Sequence, residues 1–227
     1  MAKSDPRFRS FHALRIKGFA KSDVVAEIAA QPLADVEGQV PFDVVAEIAA
    51  QPLADVEGHL ADLQKQELAL FREARALWQL TPAGKEAHKA ELAKDITDDA
   101  RNAISEHYDG FLELNVAFKS LCGDWQLIDG DGSKPNDHSD ATYDKKVIDR
   151  LLSFDAEARP VVTALGAAHE RMAPYAPRLG GSLERLLAGE TKMFTGVMCN
   201  SYHDVWMELH EDLILSLGID RAAEGSF

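Results

Sequence analysis

The sequence has few of the features that mark membrane, secreted or disulfide-stabilised proteins. Its longest unbroken apolar stretches cover only a few of the 227 residues, which argues against a transmembrane helix. The N-terminal segment lacks the apolar core of a signal peptide. Two cysteines, Cys122 and Cys199, are too few for a disulfide framework and are not spaced as a CxxC metal pair. We therefore expect a cytoplasmic protein.

Sequence signatures of common catalytic centres are also missing. The chain has no GxSxG, no phosphate-binding loop and no GxGxxG, so no enzyme class is indicated and no cofactor is expected. The acidic loop at residues 129–140 has oxygens at calcium-loop spacing, but Lys134 stands where that loop needs glycine. His203 and His210 are seven residues apart, too far along a helix to share one ion. We expect no metal site.

Positive charge is scarce, and the formal net charge is −14. Residues 1–90 carry 11 basic and 13 acidic side chains, whereas residues 91–227 carry 13 and 25. This balance argues against a protein that coats nucleic acid. Because the acidic excess lies almost entirely in the C-terminal part, it indicates two parts with different roles.

A direct repeat dominates the N-terminal part. The segment DVVAEIAAQPLADVEG occurs at residues 23–38 and again, without a change, at residues 43–58. Solenoid repeats vary outside their core positions, so sixteen identities in a row indicate a tandem duplication with residues 39–58 as the insertion. Removing the insertion deletes four acidic residues and no basic one, which leaves residues 1–90 with a net charge of +2.

The N-terminal part has the signals of three helices, a hairpin and a fourth helix. A short basic amphipathic helix is predicted over residues 7–17 and ends at Gly18. Ser22 caps the next helix, which a Gln-Pro pair breaks. Apolar residues at helical spacing then predict the second helix of a helix-turn-helix. These apolar residues are Leu53, Val56, Leu60 and Leu63.

The hairpin and the helix after it have clear boundaries. Apolar residues at 68–71 and 77–80 predict two short strands, with Arg72 and Arg75 near the tip that joins them. Thr81 is a good helix cap, and Pro82 then occupies the first helical position. The order of elements is that of a winged helix-turn-helix.

On the segments DVVAEIAAQPLADVEGHLADLQKQEL, FREAR and LWQLTPAGKEAH, the chain resembles the MarR-like winged-helix transcriptional regulators, over roughly residues 7–95. The resemblance implies a recognition helix and a wing that bind DNA. The second repeat copy is expected to supply that helix, because it runs directly into HLADLQKQEL. The expected DNA-binding residues are His59, Gln64, Lys65, Arg72 and Arg75. The same helix face carries Asp55, Glu57 and Asp62, so contact with a protein is the alternative.

Residues 96–227 are predicted to be almost entirely helical. A first long helix carries one apolar stripe from Ile104 to Cys122, and a second helix continues beyond Pro160. Prolines and glycines at 174–181 are expected to break the chain before a short helix. A final helix is predicted from about Met193 to Leu217, and its acidic stripe is expected to be solvated. This stripe consists of Asp204, Glu208 and Glu211.

Polar residues interrupt the apolar faces of two of these helices. Buried polar groups need partners, so they either satisfy one another in a closed core or line a mostly apolar ligand pocket. In the pocket hypothesis, residues 136–143 form a lid. The candidate ligand-binding residues are Asn115, Trp125, Asn136, His138, Tyr143, Tyr202, His203, Trp206 and His210.

Together these patterns predict a mainly helical protein, with a winged helix-turn-helix at residues 1–95 and a helical domain at 96–227. The first functional hypothesis is a DNA-binding transcriptional regulator whose helical domain senses a small, partly apolar molecule. The alternative is a non-enzymatic accessory subunit of a multi-subunit enzyme, for example a phosphotransfer assembly, with the winged helix in protein contact. The expected partners are double-stranded DNA, a small-molecule effector and a second copy of the chain, with no membrane.

Overall fold

Most of the described chain is helical, with one small antiparallel sheet. This confirms the mainly helical class predicted from the sequence. The first repeat copy with Ser22, and Arg75 at the hairpin tip, lie outside the described residues. The computed structural model describes residues 3–19, 48–73, 77–128, 134–197 and 199–220.

Helix α1 spans Pro6–Phe19 and begins with two features that favour a helix start. Asp5 accepts a hydrogen bond from the backbone N–H of Phe8 at 3.0 Å. Pro6 occupies the first helical position, where no N–H is required. The helix predicted over residues 7–17 is confirmed, although it continues past Gly18.

A second helix and a hairpin follow in the N-terminal part. Helix α2 spans Leu53–Lys65 and starts directly after Pro52. Strand β1, Ala69–Arg72, pairs with strand β2, Leu77–Leu80, so that Phe71 lies opposite Trp78. The centroids of these two rings are 5.2 Å apart, a cross-strand aromatic pair that stabilises the hairpin.

Helix α3, Pro82–Asp95, is tied to the hairpin by its cap. The Thr81 hydroxyl accepts a hydrogen bond from the N–H of Gly84 at 2.9 Å and lies 2.8 Å from the carbonyl of Glu67. A Cβ at Gly84 would lie 1.9 Å from the carbonyl oxygen of Leu68, so only glycine permits this approach. The glycine of the LTPAG segment therefore has a packing role.

These elements enclose a small hydrophobic cluster. Helix α1 lies at its centre and contacts α2, α3 and β2. The second repeat copy contributes two residues ahead of α2, so part of the duplicated sequence belongs to this core. The buried members are Phe8, Phe11, Ala13, Leu14, Ile48, Ala49, Val56, Leu60, Leu63, Ala69, Leu80 and Leu92.

Two long helices, packed against each other, begin the C-terminal part. Helix α4 spans Asp98–Gln126, and the Thr97 side chain caps it by accepting from the N–H of Ala100. Helix α5 spans Ala141–Ala168, and Asp140 caps it. Every residue of the predicted α4 stripe from Ile104 to Cys122 is buried, because the 4-3 spacing keeps these side chains on one face.

Two boundary predictions for the last helices are wrong. Helix α6 spans Tyr175–Leu187 and includes Pro177, which lies in the first turn where the missing N–H breaks no hydrogen bond. Helix α7 spans Tyr202–Leu217 rather than beginning at Met193. Ser201 caps α7, and Gly218 ends it at φ 70° as expected.

Helices α4 to α7 surround a second, larger hydrophobic cluster. Its centre is an aromatic group in which Phe111, Phe118 and Phe154 pack against Trp206 at centroid distances of 4.8 to 5.4 Å. Leu215 at the end of α7 packs against the small cluster instead. None of the described helices is long and apolar enough to cross a membrane.

Candidate functional site

Helix α2 places the predicted recognition residues at the surface of the N-terminal part. Gln64 and Lys65 are exposed, and the Lys65 amine lies 3.1 Å from the Asp62 carboxylate. His59 is half-buried, with Nδ1 2.9 Å from the hydroxyl of Ser10 on α1. This hydrogen bond ties the His59 ring to α1, whereas Gln64 and Lys65 point into solvent.

Carboxylates dominate the exposed surface of α2 and of the turn after it. Lys65 is the one basic side chain there, and Asp62 partly neutralises it. We call the exposed carboxylates the α2 acidic face. They belong to Asp55, Glu57, Asp62 and Glu67.

The hairpin and α3 also carry exposed basic side chains. Arg72 is exposed at the end of β1, with Nε 3.4 Å from the Gln79 side-chain oxygen. Lys85 and Lys89 are exposed on one side of α3. Arg75, the second predicted phosphate contact, lies outside the described residues.

The basic side chains of α1 all form ion pairs within the protein. Helix α1 has four basic residues and no acidic one, and each basic residue forms an ion pair with a carboxylate from another element. The long-range partners lie on α3, on the 3-10 turn Glu170–Met172 and on α7. The pairs are Arg7–Glu91, Arg9–Glu170, Arg15–Glu211, Lys17–Asp204 and Lys17–Glu208.

In the C-terminal part, the structure brings Asn115 and Trp206 together. The Trp206 indole N–H donates to Oδ1 of Asn115 at 3.0 Å, and the two side chains are 0% and 2% exposed. Three phenylalanines pack around the indole. This is the arrangement that the closed-core alternative predicts, since each polar group satisfies the other.

The other predicted ligand residues of α7 lie around this pair. The buried Tyr202 hydroxyl donates to Asp155 at 3.1 Å, and burial followed by the Asp155 charge raises the pKa of Tyr202. His203 packs against Phe118, its Nδ1 has no hydrogen-bond partner, and burial lowers its pKa. His210 is buried against Phe111.

The predicted lid residues form a separate group at the far end of α4. Asn136 donates to the Trp125 carbonyl and to Asp144, whose other oxygen lies 3.0 Å from Nδ1 of His138. The His138 ring packs on Trp125 at 4.4 Å. The Tyr143 hydroxyl donates to backbone carbonyls at the end of α4. These contacts fasten the segment to α4 and α5.

The expectation that the acidic stripe of α7 is solvated is wrong. Asp204, Glu208 and Glu211 are only 7%, 4% and 3% exposed. They face the basic residues of α1 and two arginines of the C-terminal part, because α1 docks along α7. We call these buried and half-buried ion-pairing residues, with the histidines among them, the charged seam. Its members are His12, Arg15, Lys17, His88, Asp95, His169, Arg171, Arg178, Asp204, Glu208, Glu211 and Asp212.

Arg171 is the central cation of the charged seam. Its guanidinium pairs with Asp95 at the end of α3 and with Asp212 of α7, and it also donates to Ser216 at 2.6 Å. Tyr175 donates to the second Asp212 oxygen at 3.1 Å. Although burial opposes ionisation, the Arg171 charge lowers the pKa of Asp212.

Lys17 and Glu208 form a second ion cluster in the seam. The Lys17 amine lies 2.5 Å from Glu208 and 2.9 Å from Asp204, and Arg178 lies 2.6 Å from Glu208. Burial disfavours both charges, yet the carboxylates raise the pKa of Lys17, and the two cations lower the pKa of Glu208. Lys17 and Glu208 therefore both stay charged at neutral pH.

Sequence reasoning missed the charged seam, although a signal for it exists. Helix α1 is basic without any acid, whereas α7 has four acidic residues and no base. Two helices of opposite charge are expected to pack against each other when each also has an apolar side. The remaining members, such as His88 and Arg171, have no comparable sequence pattern because they come from single positions on other elements.

Comparison with known proteins finds no matching family model, no matching curated protein and no matching solved structure.

Proposed function

We propose that this protein is a regulatory binding protein whose N-terminal part acts as a winged helix in protein contact, as expected for an accessory subunit. The α2 acidic face carries this proposal. In a winged helix, α2 holds the position of the recognition helix, and here α2 and the turn after it offer four exposed carboxylates and one lysine that is already paired. A surface of this charge suits a partner protein with a basic patch.

The charge of that surface disfavours duplex DNA as the partner. DNA presents one phosphate about every 1.7 Å of its axis, and binding proteins neutralise several of these with lysine and arginine. The four basic residues of α1 do not supply this charge, since each is paired internally. The exposed carboxylates of α2 would meet the phosphates or the bases without a compensating cation.

A DNA-binding transcriptional regulator is the second candidate, and the hairpin favours it. Arg72 at the end of β1 and Lys85 and Lys89 on α3 are exposed, and in a winged helix the wing and the helix after it contact phosphates. In this candidate the C-terminal part senses a small, partly apolar molecule, and a second copy of the chain completes the DNA-binding unit.

Crosslinking and DNA binding separate the two candidates. A photocrosslinking amino acid at position 64, an exposed position in the last turn of α2, is expected to give protein adducts in cells. The control is the same amino acid at position 187, where Leu187 is 53% exposed on α6. Charge reversal by Glu57→Lys should reduce the adducts at position 64 alone. Equal adducts from both positions, or adducts with DNA, would contradict protein contact.

The DNA measurement uses fluorescence anisotropy with genomic fragments at 50 to 200 mM salt. For the proposed function we expect no specific binding. If DNA binds instead, Arg72→Ala with Arg75→Ala should weaken binding to all sequences and lower the salt slope by about 2. Lys145→Ala is the matched control, because Lys145 is an exposed base of the C-terminal part that is paired with Asp149.

A further inference from the structure

The contact between the two hydrophobic clusters is mainly ionic. Helix α1 belongs to the small cluster through Phe8, Phe11 and Leu14, and it contacts α7 through the charged seam. Leu215 adds an apolar contact from α7. Buried ion pairs contribute little net stability but make a contact sensitive to the charge of each member. The protonation state of the seam therefore controls this contact more than it controls either cluster.

A stacked pair of histidines lies inside the seam. The rings of His12 on α1 and His88 on α3 have centroids 5.0 Å apart, and Nδ1 of His12 lies 2.9 Å from Nε2 of His88. The two residues are 0% and 2% exposed. Phe8 and Phe11 pack around His88, so one side of the pair is apolar. A hydrogen bond between two imidazoles requires one ring nitrogen to lack a proton.

The charged groups around the pair do not accommodate a further proton. Asp212 of α7 lies 3.0 Å from Nε2 of His12, but its charge is already matched by Arg171 and by two hydroxyl donors. Arg15 on α1 and Arg171 on the 3-10 turn are both cationic. Asp95 at the end of α3 pairs with Arg171. A proton added to the histidine pair would thus place another cation beside Arg171.

We propose that the charged seam is an acid-sensitive joint, in which protonation of the His12–His88 pair separates α1 and α3 from α7 while both hydrophobic clusters stay packed. When the joint opens, the two histidines become solvated and lie farther from the Arg171 charge. They therefore bind protons more readily in the open state, and this protonation stabilises it. The N-terminal part is then free to change its position relative to the C-terminal part.

The sign and size of the effect follow from the histidine environments. Burial, with the neighbouring His12, lowers the pKa of His88 to about 2, and burial followed by the Arg171 charge lowers the pKa of His12. In water the pKa of histidine is about 6.5. The open state thus binds more protons below pH 6.5, and one proton per pair raises the opening equilibrium about tenfold between pH 7.5 and 5.5.

The other titratable groups of the seam do not reverse the expectation that the joint opens as the pH falls. Burial lowers the pKa of His169, which lies 3.5 Å from Asp95, so His169 adds to opening in acid. The lowered pKa values of Asp212 and Glu208 keep both carboxylates charged at pH 5.5. The closed joint is consequently favoured above pH 6.5 and is weakened progressively as the pH falls.

Thiol labelling of the full chain measures this opening directly. Ile16 is 2% exposed on α1, lies between the seam residues Arg15 and Lys17 and belongs to neither hydrophobic cluster, so the thiol introduced by Ile16→Cys reports on solvent entry at the joint. Cys199, whose backbone N–H donates to Asp204 of the seam, is replaced by serine in every variant, and native Cys122, buried in the larger cluster, is an internal control. Labelling by 4,4′-dithiodipyridine is measured from pH 7.5 to 5.5 and divided by the rate of a free cysteine peptide at each pH.

We expect the corrected labelling rate at position 16 to rise about tenfold from pH 7.5 to 5.5, while the rate at Cys122 stays within about twofold. Replacing both members of the pair, His12→Gln with His88→Gln, should abolish most of the rise because glutamine does not titrate, whereas a single variant keeps one histidine that gains a proton when the joint opens. His107→Gln, on α4 outside the seam, should leave the rise intact. No rise at position 16, an equal rise at Cys122, or a full rise in the double variant would overturn the proposal. If the double variant does not fold, His12→Asn with His88→Asn provides the same comparison.

Discussion

The two hydrophobic clusters differ in where their polar groups find partners. The aromatic centre of the larger cluster pairs its own polar groups, since Trp206 donates to Asn115 and Tyr202 donates to Asp155 without help from the N-terminal part. The small cluster does not pair its own, because the basic side of α1 is neutralised mainly by α7 and the turn before α6. The aromatic centre is therefore independent of the N-terminal part, whereas α1 and the carboxylates of α7 depend on each other.

Removing the central cation of the seam is the strongest way to break this dependence. Arg171→Met should destabilise the protein by about 3–5 kcal/mol, because Asp95 and Asp212 would remain buried as unpaired charges. The free energy of unfolding from urea titration measures the loss. As a control, Arg185→Ala breaks an ion pair that is 43% and 42% exposed and should cost less than about 1 kcal/mol. Equal losses for the two variants would show that the seam is not structural.

A tryptophan in each part tests the difference in packing. Trp206→Ala should cost about 3–5 kcal/mol, because it empties the aromatic centre of the larger cluster. Trp78→Ala should cost less, since Trp78 is half-buried on the hairpin. Thermal and urea unfolding measure both. A small loss for Trp206→Ala would favour the pocket hypothesis, in which the indole is a ligand wall.

Substitution at Asn115 tests whether the Asn115–Trp206 hydrogen bond is part of a closed core. Asn115→Leu should cost about 1–3 kcal/mol, because the Trp206 indole N–H would lose its acceptor while buried. Asn115→Asp keeps an acceptor oxygen but adds a buried charge and should be worse. A neutral or stabilising result for Asn115→Leu in urea unfolding would mean that the indole has another acceptor.

The helix caps of the two parts should contribute similar amounts to the free energy of unfolding. Thr81→Ala and Ser201→Ala each remove the side-chain acceptor of a helix start and should each cost about 1 kcal/mol. Thr81→Ser and Ser201→Thr keep the hydroxyl and are the matched controls. A much larger loss at Thr81 would indicate that its contact with the Glu67 carbonyl holds the hairpin on α3.

Deleting residues 39–58 should have the smallest effect. The deletion joins Gly38 to His59, so the identical first copy takes the place of the second and restores the same buried residues ahead of α2. We expect the free energy of unfolding to change by less than about 1 kcal/mol, since long insertions in surface loops cost little. A loss of several kcal/mol would show that both copies belong to the core.

Periodic and local signals in the sequence determined many of the elements. Thr81 followed by Pro82 specified the start of α3, and the 4-3 spacing from Ile104 to Cys122 specified the buried face of α4. The same approach failed at Pro177, because a proline at the first turn and one in the middle of a helix are identical in sequence. It also failed at Met193, which is the last residue of the 3-10 turn Thr191–Met193 and lies ahead of α7.

Helical spacing also revealed that polar residues interrupt apolar helix faces, but it left open whether they meet one another or a ligand. The packing of distant elements brings Asn115 to Trp206, buries the acidic stripe of α7 and stacks His12 on His88. Local propensity and spacing act within one element, whereas the partner of a buried charge is chosen by how distant elements dock.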